Sequence, residues 1–384
     1  MSVTAARGFV ASGVRSGIRR SAPDLALVRS MAPAVGAALF TANRVQAAPL
    51  VVSRRSLAVA DPQAVVVNSG VANAATGKQG ELDAATTAER AAELLGLTPE
   101  QVLVLSTGVI GVPLPTAKVL AGLDAAASSL SADGGAAAAG AILTTDTRPK
   151  QASITAGGFT VGGMAKGAGM IHPCLATMLA VLTTDYPLDR EGAAEHLRPA
   201  VEESFNRISV DGECSTNDAV VLLANGTSGA RRDDAAFAEA LRSVCADLAR
   251  QIVADGEGAT VLLEIGVAGA ASNRDAEAIA RRIATSSLVK TAAFGHDANW
   301  GRVLAAAGSA TSNGGFARLE PDLLTVSFNG TPVFDRGAPS GAVPALDGAA
   351  CRIELELGLG DGCATYLASD LSYEYVRVNA EYRT

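Results

Sequence analysis

Residues 161–185 read VGGMAKGAGMIHPCLATMLAVLTTD, and this stretch decides how the rest of the chain is interpreted. Glycines surround a single lysine, and a lone threonine, Thr177, stands directly before an apolar run. By composition alone, the stretch indicates a glycine-rich turn that leads into a buried helix. The alternative is a constrained backbone that presents Thr177 as a nucleophile.

The composition of the 384 residues is typical of a folded protein with a large core. Hydrophobic residues make up 48% and charged residues 18%, which excludes a disordered chain. The net charge of −8 and the lack of a basic stripe argue against nucleic-acid binding. No uncharged apolar stretch approaches the ~18 residues of a membrane span, so no membrane partner is expected.

Cysteines and histidines show no spacing that would suit a metal site. The five cysteines are scattered and odd in number, and the three histidines lie far apart. We therefore expect no metal site and a reduced, cytoplasmic compartment. Arg19-Arg20 could open an export signal, but Asp24 follows closely and no long apolar region precedes a cleavage site, so no targeting peptide is expected.

Short apolar runs alternate with helical patterns along the first third of the chain. Val65-Val66-Val67 reads as a buried strand, and residues 81–96 read as a helix. Thr98-Pro99-Glu100-Gln101 has the form of a capped helix start. The continuous apolar run 102–105 limits that helix to a single turn entering a strand, which ends at Ser106-Thr107-Gly108.

The rest of the chain continues this mixture of helices and strands. Apolar spacing predicts amphipathic helices over residues 197–208 and 237–252. Alternation predicts strands at 261–267 and 353–357, and Asn329-Gly330 suits a two-residue hairpin turn. The pattern predicts an α/β chain with mixed sheets. It contains no GxGxxG or GxxxxGK[ST] motif that would indicate a nucleotide site.

The stretch 161–185 also closely resembles the cleavage region of the self-cleaving ornithine acetyltransferases, where Lys-Gly-x-Gly-Met precedes Pro-x-x-Ala-Thr-Met-Leu. Further family-like blocks follow the family's order from about residue 7 to residue 384. These blocks are Asn68-Ser69-Gly70, Ser106-Thr107-Gly108-Val109-Ile110-Gly111, Thr144-Thr145-Asp146-Thr147, Ser215-Thr216-Asn217-Asp218, Asp255-Gly256-Glu257-Gly258-Ala259, Asn299-Trp300-Gly301-Arg302 and the run from Ser369 to Thr384. Departures from the usual family residues carry none of the chemistry; they are Val71, Ala75 and Ala298, with Cys174 at a variable position.

The resemblance implies the αββα sandwich of the self-cleaving aminopeptidase and acetyltransferase group, with smaller C-terminal α/β domains. We therefore expect a main domain of residues 1–190 that contains the cleavage site. A middle α/β domain of residues 191–275 and a C-terminal α/β domain of residues 276–384 would follow. The resemblance also implies a heterotetramer of two chains 1–176 and two chains 177–384.

Cleavage between Ala176 and Thr177 would supply the base that the threonine hydroxyl needs. A threonine hydroxyl is a weak nucleophile near neutral pH and needs an adjacent base. The α-amino group freed by cleavage sits on the same residue, and its pKa of about 7.7–8.0 leaves a useful fraction neutral. Before the bond breaks, the same hydroxyl would attack the Ala176 carbonyl. His172 is the alternative base, but the amine makes it redundant.

The resemblance also implies roles for other residues. Thr107, through its hydroxyl, and Gly108, through its N–H, would form the oxyanion hole; an ordinary strand-to-loop turn is the alternative. Lys166 would pair with a substrate carboxylate and Glu257 with an ammonium group, with solvated surface pairs as the alternative. The remaining ligand positions of the family fall on Thr144 or Thr145, Thr177, Asn379 and Thr384.

The last block, from Ser369 to Thr384, is expected to bind substrate. Chain ends are often frayed and dispensable, but this one combines three tyrosines with alternating Val376 and Val378. The alternation predicts a docked strand that carries Asn379 and Thr384 to the site.

The implied reaction transfers the acetyl group of N2-acetyl-L-ornithine to L-glutamate in arginine biosynthesis. It uses an acetyl-threonine intermediate and ping-pong kinetics, and it implies no metal and no bound cofactor. The residues leave open whether acetyl-CoA is a second acetyl donor. One rival is an amidohydrolase or aminopeptidase of the same fold, which would release the acyl group to water. The other is an uncleaved amino-acid-binding or assembly protein that keeps the fold.

Overall fold

Residues 2–172 and 178–381 are described by a computed structural model of the chain. Their strands are β1 (Phe9–Val14), β2 (Leu25–Ser30), β3 (Val35–Phe40), β4 (Ala64–Val71), β5 (Val102–Val109), β6 (Lys150–Ala156), β7 (Phe159–Lys166), β8 (Leu179–Thr184), β9 (Ile208–Ser209), β10 (Ala219–Ala224), β11 (Leu262–Ala270), β12 (Thr311–Ser312), β13 (Gly315–Phe316), β14 (Thr325–Phe328), β15 (Thr331–Asp335), β16 (Ala338–Pro339), β17 (Ala350–Glu356) and β18 (Gly362–Ser369). Their helices are α1 (Ala48–Val59), α2 (Gly77–Leu95), α3 (Thr116–Ser128), α4 (Gly135–Ala141), α5 (Arg190–Glu202), α6 (Asp234–Ala254), α7 (Asn273–Ala284), α8 (Ser287–Phe294), α9 (Trp300–Gly308) and α10 (Tyr373–Glu381).

The described residues divide into two units. The first contains residues 2–206 and 214–252, and the second contains residues 207–213 and 253–381. The predicted domain boundaries after residues 190 and 275 stay predictions. No helix within the described residues has the length and apolar character needed to span a membrane.

Two mixed sheets form the centre of the first unit. The four-stranded sheet has the strand order β1-β2-β4-β5, in which only β4 and β5 are parallel. The five-stranded sheet has the order β3-β10-β8-β7-β6, in which only β8 and β10 are parallel. Strands covered on both faces need apolar side chains at successive positions, which explains the continuous aliphatic runs of β4, β5, β8 and β10.

The two sheets pack face to face through alternate side chains. Val65 of β4 and Val181 of β8 belong to one core between the sheets, whereas Val66 belongs to a second core with α2 and α3. On the far side of the five-stranded sheet, Gly163 of β7 lies close to Leu248 of α6. The layers are therefore helices, sheet, sheet and helices, and the predicted αββα sandwich is confirmed.

A seven-stranded sheet forms the second unit, in the order β16-β15-β14-β17-β11-β18-β9. Ile265 of β11 points into the core of this unit, where it is joined by Ile279 and Ile283 of the amphipathic helix α7. Ser272 caps α7 by accepting a hydrogen bond from the N–H of Asp275. This unit supplies the α/β structure expected towards the C-terminus.

Several predicted elements are confirmed, and one is shorter than predicted. The helix expected at residues 81–96 is α2, and Thr98 and Gln101 form a capping box in the single turn before β5. Asn329-Gly330 joins β14 to β15 with positive φ at both residues. The helix predicted for residues 197–208 ends at Glu202, because Ile208 pairs with β18 as part of β9.

Two predictions of local structure are wrong. The apolar run after Thr177 forms strand β8, paired on both sides, instead of a buried helix. The C-terminal block forms helix α10 instead of a docked strand. Arg377 forms ion pairs with Glu374 and Glu381, three and four residues away, and this helical spacing overrides the alternation of the two valines.

Candidate active site

The sequence-predicted site residues fall into three groups. The first unit contains Thr107, Gly108, Thr144, Thr145 and Lys166. The second unit contains Glu257 and Asn379. The residues that form the predicted cleavage bond and the last ligand lie outside the described residues; they are Ala176, Thr177 and Thr384. Their assignments stay predictions.

Lys166 and Thr107 meet between the two sheets of the first unit. Lys166 is the last residue of β7, and its Nζ donates a 3.3 Å hydrogen bond to Oγ1 of Thr107 on β5. Both residues are only 8% exposed. The register partner of Lys166 is Leu179, which follows Thr177 by two residues in the sequence. The buried lysine therefore lies beside the strand that begins just after the predicted cleavage bond.

Gly108 occupies a backbone position that requires glycine. Its φ is +131°, and a Cβ added there would lie 2.3 Å from the carbonyl carbon of Gly70. The pairing of β4 with β5 shifts register at the same place, between Gly70 and Val71. The ends of these parallel strands thus approach each other closely where Thr107 and Gly108 are the predicted oxyanion donors.

Asp146 joins three parts of this site. Its carboxylate accepts hydrogen bonds from the N–H of Gly167 at 2.7 Å and the N–H of Thr144 at 3.0 Å, and it pairs with the fully buried Nζ of Lys150. Burial alone would raise the pKa of Asp146, but the charges on Lys166 and Lys150 hold it well below its usual range. Asp146 is therefore ionised, and it fixes the backbone next to Lys166.

Asp218 has the opposite electrostatic character. It is 3% exposed, and its Oδ2 is buried without a hydrogen-bond partner. Burial raises the pKa of Asp218 well above its usual range, against hydrogen bonding with Ser215 and the charge of Lys166. Asp146 and Asp218 lie in family-like blocks of the sequence, but their roles were not assigned there.

In the second unit, Glu257 and Asn379 contact each other. Nδ2 of Asn379 donates a 2.8 Å hydrogen bond to Oε2 of Glu257. The start of α10 is held by Ser372, whose Oγ donates to the carbonyl of Gly258 at 2.6 Å. Gly258 has φ +68°, and a Cβ there would lie 2.3 Å from the N of Tyr375. Glycine beside Glu257 therefore allows α10 to approach closely enough to present Asn379.

Lys290 of α8 supports the same region of the second unit. Its Nζ donates hydrogen bonds to the carbonyl and Oγ of Ser369, at the end of β18. Burial lowers the pKa of Lys290 to about 8, although the charges of Asp370 and Asp211 favour the protonated form. Sequence reasoning missed this lysine, because nothing in a single sequence distinguishes it from an exposed helix residue.

The described residues hold no group of three or more His, Cys, Asp or Glu side chains arranged to bind a metal ion. The polar groups that converge in the first unit are two lysines, Lys150 and Lys166, the hydroxyl of Thr107, and two carboxyl groups whose pKa values are shifted in opposite directions. These can bind a carboxylate and donate hydrogen bonds to a developing oxyanion.

This fold and this cluster define an α/β sandwich enzyme with polar groups at the strand ends. The chain belongs to the ArgJ family, whose model matches residues 10–384. The arginine biosynthesis bifunctional protein ArgJ of Symbiobacterium thermophilum is 48% identical over 398 residues, which cover 100% of this chain and 98% of that protein. The protein of the same name from Streptomyces coelicolor is 47% identical over 386 residues, covering 100% of both chains. The predictions of the family and of an acyltransferase of arginine biosynthesis are confirmed.

Two solved structures match the chain in sequence. The crystal structure of ArgJ from Bacillus halodurans is 45% identical, covers 46% of this chain and 95% of that chain, and has a TM-score of 0.43. Ornithine acetyltransferase of Mycobacterium tuberculosis, solved in complex with ornithine, is 45% identical, covers 46% of this chain and 96% of that chain, and has a TM-score of 0.45.

Proposed function

We propose that this protein transfers the acetyl group of N2-acetyl-L-ornithine to L-glutamate, after its chain breaks between Ala176 and Thr177. The observation that carries the proposal is the buried contact between Lys166 and Thr107. It places a cation and a hydroxyl donor beside the strand that starts after the predicted cleavage bond. Membership of the ArgJ family supports the choice of substrates.

Both reactions use the hydroxyl of Thr177. In cleavage, it attacks the Ala176 carbonyl, and the acyl group moves from nitrogen to oxygen; water then hydrolyses the ester and releases residues 1–176. In transfer, the hydroxyl attacks the acetyl carbonyl of acetylornithine while the freed α-amino group takes its proton. Ornithine leaves with that proton. The neutral amine of glutamate then attacks the acetyl-threonine ester, the ester C–O bond breaks, and acetylglutamate is released while the proton of the amine returns to the Thr177 oxygen. Thr107 and Gly108 stabilise the oxyanion of each step.

The charges of the two substrates match the charges of the proposed ligand residues in each unit. Lys166 pairs with a substrate carboxylate, and its buried Nζ lies 3.3 Å from the hydroxyl of Thr107, a proposed oxyanion donor. Glu257 pairs with an ammonium group, and Asn379 orients its carboxylate through the 2.8 Å hydrogen bond. The other proposed ligands are Thr384 and one of the threonines at positions 144 and 145.

The test combines intact-mass measurement with product analysis. Purified protein is expected to consist of residues 1–176 and 177–384, and to form acetylglutamate from acetylornithine and glutamate. Thr177→Ala should remain one inactive chain, whereas Glu257→Gln should cleave normally and transfer poorly. An uncleaved wild-type chain would overturn the proposal, and release of acetate without acetylglutamate would identify a hydrolase. Acetyl-CoA with glutamate alone tests the second acetyl donor.

Assembly and location complete the proposal. We infer a heterotetramer of two N-terminal and two C-terminal fragments, which sedimentation should detect as a particle of twice the 38.6 kDa chain. We also infer a cytoplasmic location, which is supported by the lack of a disulfide at the four described cysteines, Cys214, Cys245, Cys351 and Cys363. A mass equal to one chain at micromolar concentration would contradict the tetramer.

A further inference from the structure

Asn217 connects the ends of two strands at the candidate oxyanion hole. It is 5% exposed and lies two residues before β10. Its Nδ2 donates hydrogen bonds to the carbonyls of Ala72, at 2.6 Å, and Ser106, at 2.8 Å. Its Oδ1 accepts a 2.6 Å hydrogen bond from Oγ1 of Thr216. Both protons of the amide and its oxygen are thus used, so the side chain has one defined orientation.

The carbonyl of Ser106 lies on the free edge of the four-stranded sheet. Among the described residues, β5 is the outer strand of that sheet, so one row of its backbone groups pairs with no neighbouring strand. Ser53 of α1 satisfies this row at Val104, because its Oγ bonds both the N–H and the carbonyl there at 2.8 Å. Ser106 is two residues further along the same edge. Asn217 donates the hydrogen bond to the Ser106 carbonyl, which is the last carbonyl on this edge before Thr107.

Fixing the Ser106 carbonyl also fixes Thr107. The carbonyl of Ser106 and the N–H of Thr107 belong to one planar peptide unit. The hydrogen bond from Asn217 therefore restricts the rotation of that unit, from which the Thr107 side chain and then the Gly108 N–H extend, and limits the positions open to both donors. The second hydrogen bond, to Ala72, holds the neighbouring strand end, whose N–H at Ala72 donates to the carbonyl of Val109.

The loop that carries Asn217 is also attached to the strand after Thr177. The N–H of Ala219 donates a 2.9 Å hydrogen bond to the carbonyl of Met178, and Ala219 pairs with Leu179. One short segment, 217–219, thus contacts both Ser106, the residue before the predicted oxyanion donors, and the start of the strand that follows the predicted nucleophile. Catalysis by fixed donors depends on such positions being held closely.

We propose that Asn217 is a positioning residue for the oxyanion hole, acting through Thr107 and Gly108 in both self-cleavage and acetyl transfer. The inference rests on the proposed function, because it takes these two residues as the donors. It assigns to Asn217 no contact with substrate. Loss of its amide is therefore expected to lower rates without changing substrate affinity.

The test measures the half-time of self-cleavage and the kcat and KM of acetyl transfer in four proteins: wild type, Asn217→Ala, Thr107→Ala and the double variant. Asn217→Ala should slow cleavage and kcat by similar factors of about 10–100, below the loss of about 10²–10³ expected for a removed donor. KM for acetylornithine should stay within about threefold. The double variant should fall within about threefold of Thr107→Ala, because both changes act on one feature.

Gln63 provides a matched control for a buried amide. Its Nε2 donates to the carbonyls of Ala34 and Asp61, at 2.7 and 3.2 Å, and it precedes β4 at the end opposite Gly70. Gln63→Ala should lower the melting temperature but keep the wild-type kcat. If Asn217→Ala does not fold, Thr216→Val serves instead, since it removes only the hydroxyl that orients the amide. It should slow both reactions by about two- to tenfold.

Each outcome decides a separate question. Wild-type rates in Asn217→Ala, or in Thr216→Val if that variant is needed, would overturn the inference and leave the proposed function intact. A raised KM with unchanged kcat would overturn it in favour of substrate contact. Multiplying effects in the double variant would show that Asn217 acts apart from Thr107. If the wild type cleaves but makes no acetylglutamate, the proposed transfer fails, and the cleavage half-times still test Asn217.

Discussion

At the scale of single residues, the first unit depends on a buried carboxylate with two lysines nearby. Removing one partner of a buried ion pair costs about 3–5 kcal/mol, because the other charge stays buried. Asp146→Asn should therefore reduce the free energy of unfolding by about that amount at pH 7. It would also weaken the acceptor for the Gly167 N–H and disturb the backbone beside Lys166.

The difference in unfolding free energy between wild type and Asp146→Asn should depend on pH. The folded-state pKa of Asp146 is lowered, so its contribution to stability is complete above the unfolded value of about 4. It is lost as the pH falls through the lower, folded-state pKa. Urea unfolding at several pH values should show that the difference in unfolding free energy between wild type and Asp146→Asn becomes smaller as the pH is lowered. Asp124→Asn, which breaks an exposed pair with Arg90, should cost less than about 1 kcal/mol. A difference in unfolding free energy that does not change with pH would contradict a lowered pKa of Asp146 in the folded state.

At the scale of elements, helix α10 depends on one glycine. Gly258 combines φ +68° with a close approach to the N of Tyr375, so any Cβ there is strained and collides with backbone. Gly258→Ala should displace α10 and separate Asn379 from Glu257. We expect normal cleavage, a KM for acetylornithine raised at least about tenfold, and early proteolysis of the tail. Gly266→Ala is the control, since its added Cβ meets only a carbonyl 4.0 Å away. Equal kinetics in the two variants would show that docking of α10 does not matter for binding.

Helices and strands could be predicted from the sequence where a single hydrophobic pattern ran through the whole segment. In β4 and β5, successive aliphatic residues correctly predicted strands that are buried on both faces. The residues Thr98 to Gln101 correctly predicted a capped helical turn. The prediction of a strand in the C-terminal block was wrong because it followed the alternation of Val376 and Val378. The ion pairs of Arg377 with Glu374 and Glu381 have helical spacing instead. The polar cluster was only partly predictable. Lys166 and Thr107 came from resemblance, whereas Asn217 acts through strand ends brought together by pairing across the sandwich.

At the scale of the whole molecule, the two proposed reactions make different demands on the chain. Cleavage needs the hydroxyl of Thr177, the Ala176 carbonyl and the oxyanion donors. Transfer needs the same groups and, in addition, residues that bind acetylornithine and glutamate, among them Glu257 and Asn379. Changes in the second group should therefore separate the reactions, leaving a cleaved but inactive protein.

Deletion of residues 379–384 is the most direct separation of the two reactions. It removes Thr384 and Asn379, whose Nδ2 bonds the Glu257 carboxylate at 2.8 Å, but none of the groups proposed for cleavage. Fragment formation should keep its wild-type half-time, while acetyl transfer should become undetectable.

Deletion of Thr384 alone should raise KM for acetylornithine and leave kcat unchanged, because it removes binding that the ground state and transition state share. Glu381→Gln keeps the length of the tail and loses only an exposed ion pair with Arg377, so its kinetics should match the wild type. If the variant that lacks residues 379–384 transfers acetyl groups at the wild-type rate, the tail is not needed for the reaction. The proposed binding roles of Asn379 and Thr384 would then both be wrong.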